Sequence, residues 1–427
     1  MPNNRCIKCT RWAFSNCLYA RLWLTEFVGH GFRSFQEYAL NVSERAAIVG
    51  AYESPRRDAP NVHPFAIQVE CIQAALAQAG LTLGDVDGLC VASGDWAEGG
   101  GVNSVTEMAE YLGIEPRWFD STDVGGCSYL VHAAHAAVAI AAGLADVVVI
   151  SYAASPRWWP LKTPSFDPFV LPVGPGQFEL PFAPTLISAY AMYAQRHMHL
   201  YGTTAEQLAQ VAVTFRQHAA ENPHAFLGRK SITVEDVLNS SMIASPLHRL
   251  DCCVVTDGGG AIVMTSRERA FDCRTRPVFV SGFGMATQRT QISQMSRELI
   301  TPAARTGPRA FEMAGLTPAD VDVAQLYDAF TITPMLALED LGFCPRGESG
   351  RFVADGHLSV GGSLPSNTDG GGLASNHPGK RGLLALIEGV RQLRGEGPGV
   401  QVKDAEVALV HGLGGTFCAA ATIILTL

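Results

Sequence analysis

A chain of 427 residues, 47% of them hydrophobic and 17% charged, can bury a large core and has the length of two or three domain-sized units. Its formal charge of −9 argues against a nucleic-acid surface, which is usually basic, so an anionic ligand must be met by a local basic patch. Eleven cysteines without a secretory signal, and no apolar run of about 18 residues, point to free thiols in a cytoplasmic protein without a membrane span.

In chain order, residues 1–41 read as a leader, either disordered and dispensable or foreign to the native protein, with Val42 as an alternative initiator. Its Cys6 and Cys9 have no second pair at zinc-finger spacing, so no metal site is expected. From Ala46 strand and helix alternate. Strands are expected at 46–52, 86–92, 117–123 and 147–152, and helices at 66–79, 103–112 and 128–142, the last preceded by Gly125-Gly126-Cys127. Repeated βαβ units imply a mainly parallel, buried sheet. Residues 155–250, with Trp158-Trp159-Pro160 and one long helical stretch at 184–220, read as a loop domain over the core, and a strand at 260–265 closes a first half spanning 42–270. The second half, 276–427, echoes it. Ala79-Gly80-Leu81-Thr82-Leu83-Gly84-Asp85-Val86-Asp87 returns as Ala314-Gly315-Leu316-Thr317-Pro318-Ala319-Asp320-Val321-Asp322, and Ala145-Asp146-Val147 as Ala405-Glu406-Val407. Two echoes in the same order imply two similar α/β halves.

Cys127 follows two glycines at a strand-to-helix turn, so its sulfur is expected near the positive end of the helix starting at Ser128, where the dipole and exposed amides favour thiolate. The glycines let a ligand approach backbone amides that can hold an oxyanion. The competing reading is a small buried thiol. His377 stands in a glycine-rich turn, Gly370 to Gly379, and a histidine there can accept a thiol proton near neutral pH. A solvated surface histidine is the alternative, and spacing alone does not join it to Cys127. His132 and His135, one helical turn apart, lack further ligands for a metal. Trp158 and Trp159 either line an apolar channel or pack the loops.

Four ordered motifs carry a family resemblance. Pro246-Leu247-His248-Arg249-Leu250-Asp251-Cys252-Cys253 with Asp257-Gly258-Gly259-Gly260 resembles the end of the first half in thiolases related to the sterol carrier protein. Tyr327-Asp328-Ala329-Phe330 resembles their His-Asp-Cys-Phe segment, the run to His377-Pro378 their Gly-His-Pro signature, and His411-Gly412-Leu413-Gly414-Gly415 their terminal glycine loop. The resemblance implies the thiolase fold, two βαβαβαββ halves in a five-layered α-β-α-β-α body with a loop domain, usually dimeric. It also implies a coenzyme A thioester as substrate without a bound cofactor, Cys127 as nucleophile and His377 as the histidine that activates it. Arg249, Lys380 and Arg381 adjoin the motifs and are candidate coenzyme A contacts. His411 and Cys418 lie near the place of the family's second cysteine. Tyr327 departs from the pattern, and a tyrosine in this segment resembles the lipid-transfer aldolases, which split a β-hydroxyacyl-CoA and are accompanied by a small OB-fold partner.

The leading expectation is therefore an acyltransferase that forms a covalent acyl-cysteine on Cys127, for thiolytic cleavage or condensation of a 3-oxoacyl-CoA. The alternatives are a retro-aldol lyase working through Tyr327 and a non-catalytic acyl or lipid carrier.

Overall fold

The computed structural model describes residues 42–92, 104–158 and 172–427; the segment 1–41 with Cys6 and Cys9, and Trp159, lie outside the described residues. The first half contributes β1 (Ala46–Glu53), α1 (Pro64–Ala79), β2 (Gly88–Cys90), α2 (Ser104–Leu112), β3 (Trp118–Asp120), α3 (Ser128–Ala141), β4 (Val147–Ala154) and, after the loop domain, β5 (Gly258–Ser266). The loop domain carries α4 (Leu186–Tyr201) and α5 (Ala205–Glu221). The second half contributes β6 (Val278–Thr287), α6 (Ala303–Ala314), β7 (Val323–Leu326), α7 (Ile332–Asp340), α8 (Gly382–Arg394), β8 (Val407–Gly414) and β9 (Ala419–Thr426).

The strands lie in the order β3-β2-β4-β5-β1-β6-β9-β8-β7. At the centre β1 meets β6 through only Ala47↔Phe279 and Ile48↔Val278, a seam between the two halves. Beside β7, at the place β3 takes beside β2, a parallel bridge joins Ala324 to Ser366. The expectation of a mainly parallel sheet needs correction. The pairs β2–β3, β2–β4 and β7–β8 are parallel, but β4–β5, β5–β1, β1–β6, β6–β9 and β8–β9 are antiparallel. The β8–β9 connection is a tight turn, and a short connection can only return the chain antiparallel.

Alternation along the strands builds the layers. In β1, Ala46, Ile48 and Ala51 pack with α3 and α8, whereas Ala47 and Val49 pack with α1 on the opposite face. In β9, Ala421, Ile423 and Leu425 face the same two helices, while Ile424 joins the cluster that contains α6 and α7. Both α3 and α8 are thus sandwiched between the two sheet halves, and nearly every residue of each is buried, in α8 even Glu388 and Gln392.

The sequence echoes have a physical cause. Thr82 and Asp85 form a capping box, as do Thr317 and Asp320. Asp87 then accepts from the amides of Asp146 and Val147, and Asp322 from those of Glu406 and Val407, at 2.8–3.1 Å. In each half one carboxylate therefore ties the start of one strand to the start of its neighbour. The single helix expected at 184–220 is two helices. Gly202 adopts φ +74° and ends α4, and Thr204 caps α5 by accepting from Gln207 N. Among the described residues no helix is long and apolar enough to cross a membrane.

Candidate active site

Three loops converge on one site, one after β3, one before α8 and the turn between β8 and β9. The first is Gly125–Cys127, one tight turn before α3. Gly125 has φ +77°, and a Cβ there would lie 2.9 Å from Gly415 N. At Gly126 a Cβ would come within 2.5 Å of the Tyr327 ring and hydroxyl. Glycine is required at both positions because the terminal loop and the Tyr327 ring press directly on the backbone.

The second loop runs from Gly370 to Lys380. Asp328 holds its start by accepting from Gly372 N at 2.7 Å and Leu373 N at 3.0 Å. Burial pushes the Asp328 carboxyl up to about 6 despite the nearby Arg381 charge. Arg381 is wholly buried, with Nη2 on both Asp369 oxygens at 2.7 and 2.8 Å and Nη1 on Asn376 O at 2.8 Å. Lys380 Nζ bonds Asp123 at 2.7 Å and is 2% exposed. Both Arg381 and Lys380, expected as coenzyme A contacts, therefore already hold carboxylates. Arg381 is committed to the buried Asp369 and Lys380 to the partly exposed Asp123, and pulling either cation away would leave a buried charge without its partner.

Between these loops and the terminal one lies a cavity of about 120 Å³, lined by Gly126, Cys253, Tyr327, Phe330, His377 and Lys380 among others. Tyr327 Oη is 3.2 Å from His377 Nε2 and 3.1 Å from Gly379 O, and it accepts from Arg381 N at 3.3 Å. The two rings meet edge to face. Burial keeps the Tyr327 phenol protonated well above its ordinary range. Burial, helped by the Arg381 charge, lowers His377 to about 4. At neutral pH the pair is therefore a phenol and an uncharged imidazole, an acid beside a proton acceptor.

Cys127 is fully buried and does not line this cavity. Its thiol donates to Val124 O at 3.6 Å, while His377 Nε2 is engaged with Tyr327. Burial, with Cys418 nearby, pushes the Cys127 thiol up, the reverse of the expected acidification. The residue does cap α3, but a helix terminus contributes about 0.3–1 kcal/mol, whereas full desolvation moves a pKa by as much as about 3–5 units. His411 also stands apart from the cavity. Its Nδ1 meets Thr422 Oγ1 at 2.9 Å, in a buried chain that continues to Thr306 at 2.7 Å, and burial lowers it to about 4. Cys418 Sγ lies on Gly414 O at 3.1 Å. Trp158 is at the surface and lines neither this cavity nor its neighbour.

That neighbour is a groove of about 760 Å³ between the loop domain and the core, lined by Arg157, Arg216, Lys230 and Arg249 and one carboxylate, Asp236. Arg249 thus falls where an anion would be met, and three of these cations were not foreseen. Arg216 is the most informative of them. It is 5% exposed, donates through Nη1 to Lys230 O, and its Nε has no hydrogen-bond partner among the described residues. Cys253 lines both the groove and the inner cavity, so the two spaces share a wall.

A family model described as Thiolase C-terminal domain-like matches residues 284–427. The chain is 39% identical over 365 residues, 83% of its length and 92% of the other's, to the 17-hydroxy-3-oxo-4-pregnene-20-carboxyl-CoA lyase of Mycobacterium tuberculosis. It is 37% identical over 344 residues, 76% of its length and 84% of the other's, to a steroid side-chain-cleaving aldolase of Thermomonospora curvata. An acetyl-CoA acetyltransferase of Methanothermobacter thermautotrophicus is 38% identical over 283 residues, covering 65% of this chain and 72% of that one. Among solved structures, the Ltp2-ChsH2(DUF35) aldolase superposes with a TM-score of 0.80 at 34% identity, over 90% of this chain and 98% of that one.

Proposed function

This chain belongs to the thiolase superfamily, in its sterol carrier protein 2-like branch, and from that premise we propose that it is a lyase rather than an acyltransferase. It cleaves a β-hydroxyacyl-CoA by retro-aldol reaction at the Tyr327–His377 pair. The observation that carries this reading is the pairing itself: the one histidine in the cavity is hydrogen-bonded to a phenol, and the thiol expected as nucleophile is buried outside it. The lyase and aldolase activities printed for the two relatives described first support the same choice.

In the proposed reaction His377 Nε2 accepts the proton of the substrate β-hydroxyl. The alkoxide collapses to a carbonyl, and the bond between the β and α carbons breaks, leaving its electron pair on the α carbon as a thioester enolate. Tyr327 gives that carbon its proton, so the products are a ketone or aldehyde and a shortened acyl-CoA. The proton on His377 then returns to the phenolate across the 3.2 Å contact, which restores both groups without an added co-reactant. The 3′,5′-phosphorylated end of coenzyme A lies in the basic groove against Arg216 and Arg249, and the thioester enters past Cys253. A small partner subunit belongs to the proposal because the structural relative is an Ltp2-ChsH2(DUF35) aldolase. A homodimer formed through the β3 edge, where Phe119 and Tyr111 are exposed, is proposed with it.

The test is incubation with 17-hydroxy-3-oxo-4-pregnene-20-carboxyl-CoA, with the chain purified alone and together with a DUF35-type subunit, followed by product analysis and intact-protein mass spectrometry. A ketone and a shortened acyl-CoA, no mass gain on the protein, and an active Cys127→Ala variant are expected. An acyl adduct on Cys127 that vanishes in Cys127→Ala together with turnover would restore the acyltransferase.

A further inference from the structure

His377 owes its place to a directed chain of hydrogen bonds that starts in the other half of the molecule. Its backbone N–H donates to Thr256 Oγ1 at 2.8 Å. Thr256 passes its own proton onward to Asn376 Oδ1 at 2.6 Å. Asn376 in turn points Nδ2 at Glu53 Oε1, at 2.7 Å. Glu53 ends β1, buried between the guanidinium groups of Arg57 at 2.8 Å and Arg391 at 3.1 Å. A carboxylate has no proton to donate when ionised, so it dictates which way the Asn376 amide faces; the flipped amide would set two acceptors against each other. Gly258, at the start of β5, leaves the room this needs, since a Cβ there would stand 3.2 Å from Asn376 Nδ2.

We infer that Glu53, Thr256 and Asn376 are positioning residues for His377, a polar relay through which the first half sets the imaginary line from the imidazole Nε2 to the Tyr327 hydroxyl. The inference rests on the part given to His377 in the lyase reading and adds what holds it. All four residues are in contact in series, and the Asn376–Glu53 link alone spans 323 positions. The relay joins β1 of the first half to the glycine-rich loop of the second, so the reacting pair is registered against both. None of the three residues lines the reaction cavity. Their effect reaches the chemistry only through the placement of the ring.

The experiment compares Thr256→Val, which keeps the shape and removes the hydroxyl, with Thr256→Ser, which restores it, and with Asn376→Asp, which sets a second carboxylate against Glu53. Turnover of 17-hydroxy-3-oxo-4-pregnene-20-carboxyl-CoA is measured in the full chain with its DUF35-type subunit, next to His377→Ala, and thermal melts check folding. A displacement near 1 Å at a reacting group costs about 100-fold, so kcat in Thr256→Val and Asn376→Asp is expected to fall about 10- to 100-fold. KM should stay within about 3-fold, because the coenzyme A end is gripped in the separate groove, and Thr256→Ser should recover most of kcat. Should Thr256→Val not fold, Asn376→Asp is read in its place. Wild-type kcat in the relay variants beside an inactive His377→Ala would overturn the inference and leave the lyase reading intact; so would a loss in Thr256→Val that serine does not rescue. Full turnover in His377→Ala would overturn the base assignment and the relay with it.

Discussion

Replacing Tyr327 with phenylalanine removes one oxygen that stands 3.2 Å from His377 Nε2 and accepts from Arg381 N at 3.3 Å. In the proposed reaction this hydroxyl protonates the α carbon, so its loss should lower kcat by about 10²- to 10⁴-fold, which is about 2.7–5.4 kcal/mol of barrier at about 1.36 kcal/mol per decade. Folding should suffer less. The Arg381 amide loses its acceptor in a buried place, at about 1–3 kcal/mol, while the ring and its packing remain. The pH profile gives a second check. As the proposed base His377 must be neutral, and its folded value is about 4, so kcat should drop as pH falls through about 4. The phenol, held protonated by burial, should add no basic limb near neutrality. Steady-state kinetics on the wild type and Tyr327→Phe, each checked by thermal melting, decide the matter. A folded Tyr327→Phe protein with at least a tenth of wild-type kcat would refute the assignment of the acid.

Further outcomes follow from the same geometry. Gly126→Ala places a Cβ 2.5 Å from the Tyr327 hydroxyl and 2.6 Å from Leu413 O, so it should displace the phenol and depress kcat as far as Tyr327→Phe does, measured by the same kinetics. Arg216→Ala should raise KM for the acyl-CoA by about 10- to 100-fold, the worth of one charge-assisted hydrogen bond of about 1.5–3 kcal/mol, with kcat little changed; an unchanged KM would remove Arg216 from the phosphate site. His411→Asn keeps a partner for Thr422 and should leave turnover within about 3-fold. Because folding lowers His411 from 6.5 to about 4, the unfolded chain binds the extra proton, and its stabilising contribution is complete above 6.5 and lost as pH falls toward 4. The variant should therefore lack up to about 1.4 kcal/mol per pH unit of that acid-side slope in denaturant titrations.

Much of the architecture could be read from residue patterns because its signals are local. The capping boxes at Thr82 and Thr317, and the aspartates that follow them, recur in order because each half needs the same tie between strands. The pairing of Tyr327 with His377 was reachable only through the family resemblance, as 50 residues separate them. The burial of Cys127 has a physical reason that local spacing does not carry. A turn before a helix is visible in sequence, but the depth at which the sulfur sits is set by β8, whose Gly412 and Gly414 pack against it. Spacing likewise does not reveal that Lys380 and Arg381 hold carboxylates from distant segments, Asp123 and Asp369, the second pair fully buried. The groove cations Arg157, Arg216 and Lys230 come from separate stretches of the loop domain, and no spacing rule links them.

The inner cavity, at about 120 Å³, has room for roughly four water molecules at about 30 Å³ each. A steroid nucleus is several times larger, whereas a hydroxyl, the two carbons being parted and one methyl group would fill it. Such a vessel acts as a vice for a bond rather than a mould for a molecule. Under the proposed reaction the rings of a bulky substrate lie outside this space, so selectivity for the departing ketone can change without disturbing the Tyr327–His377 pair.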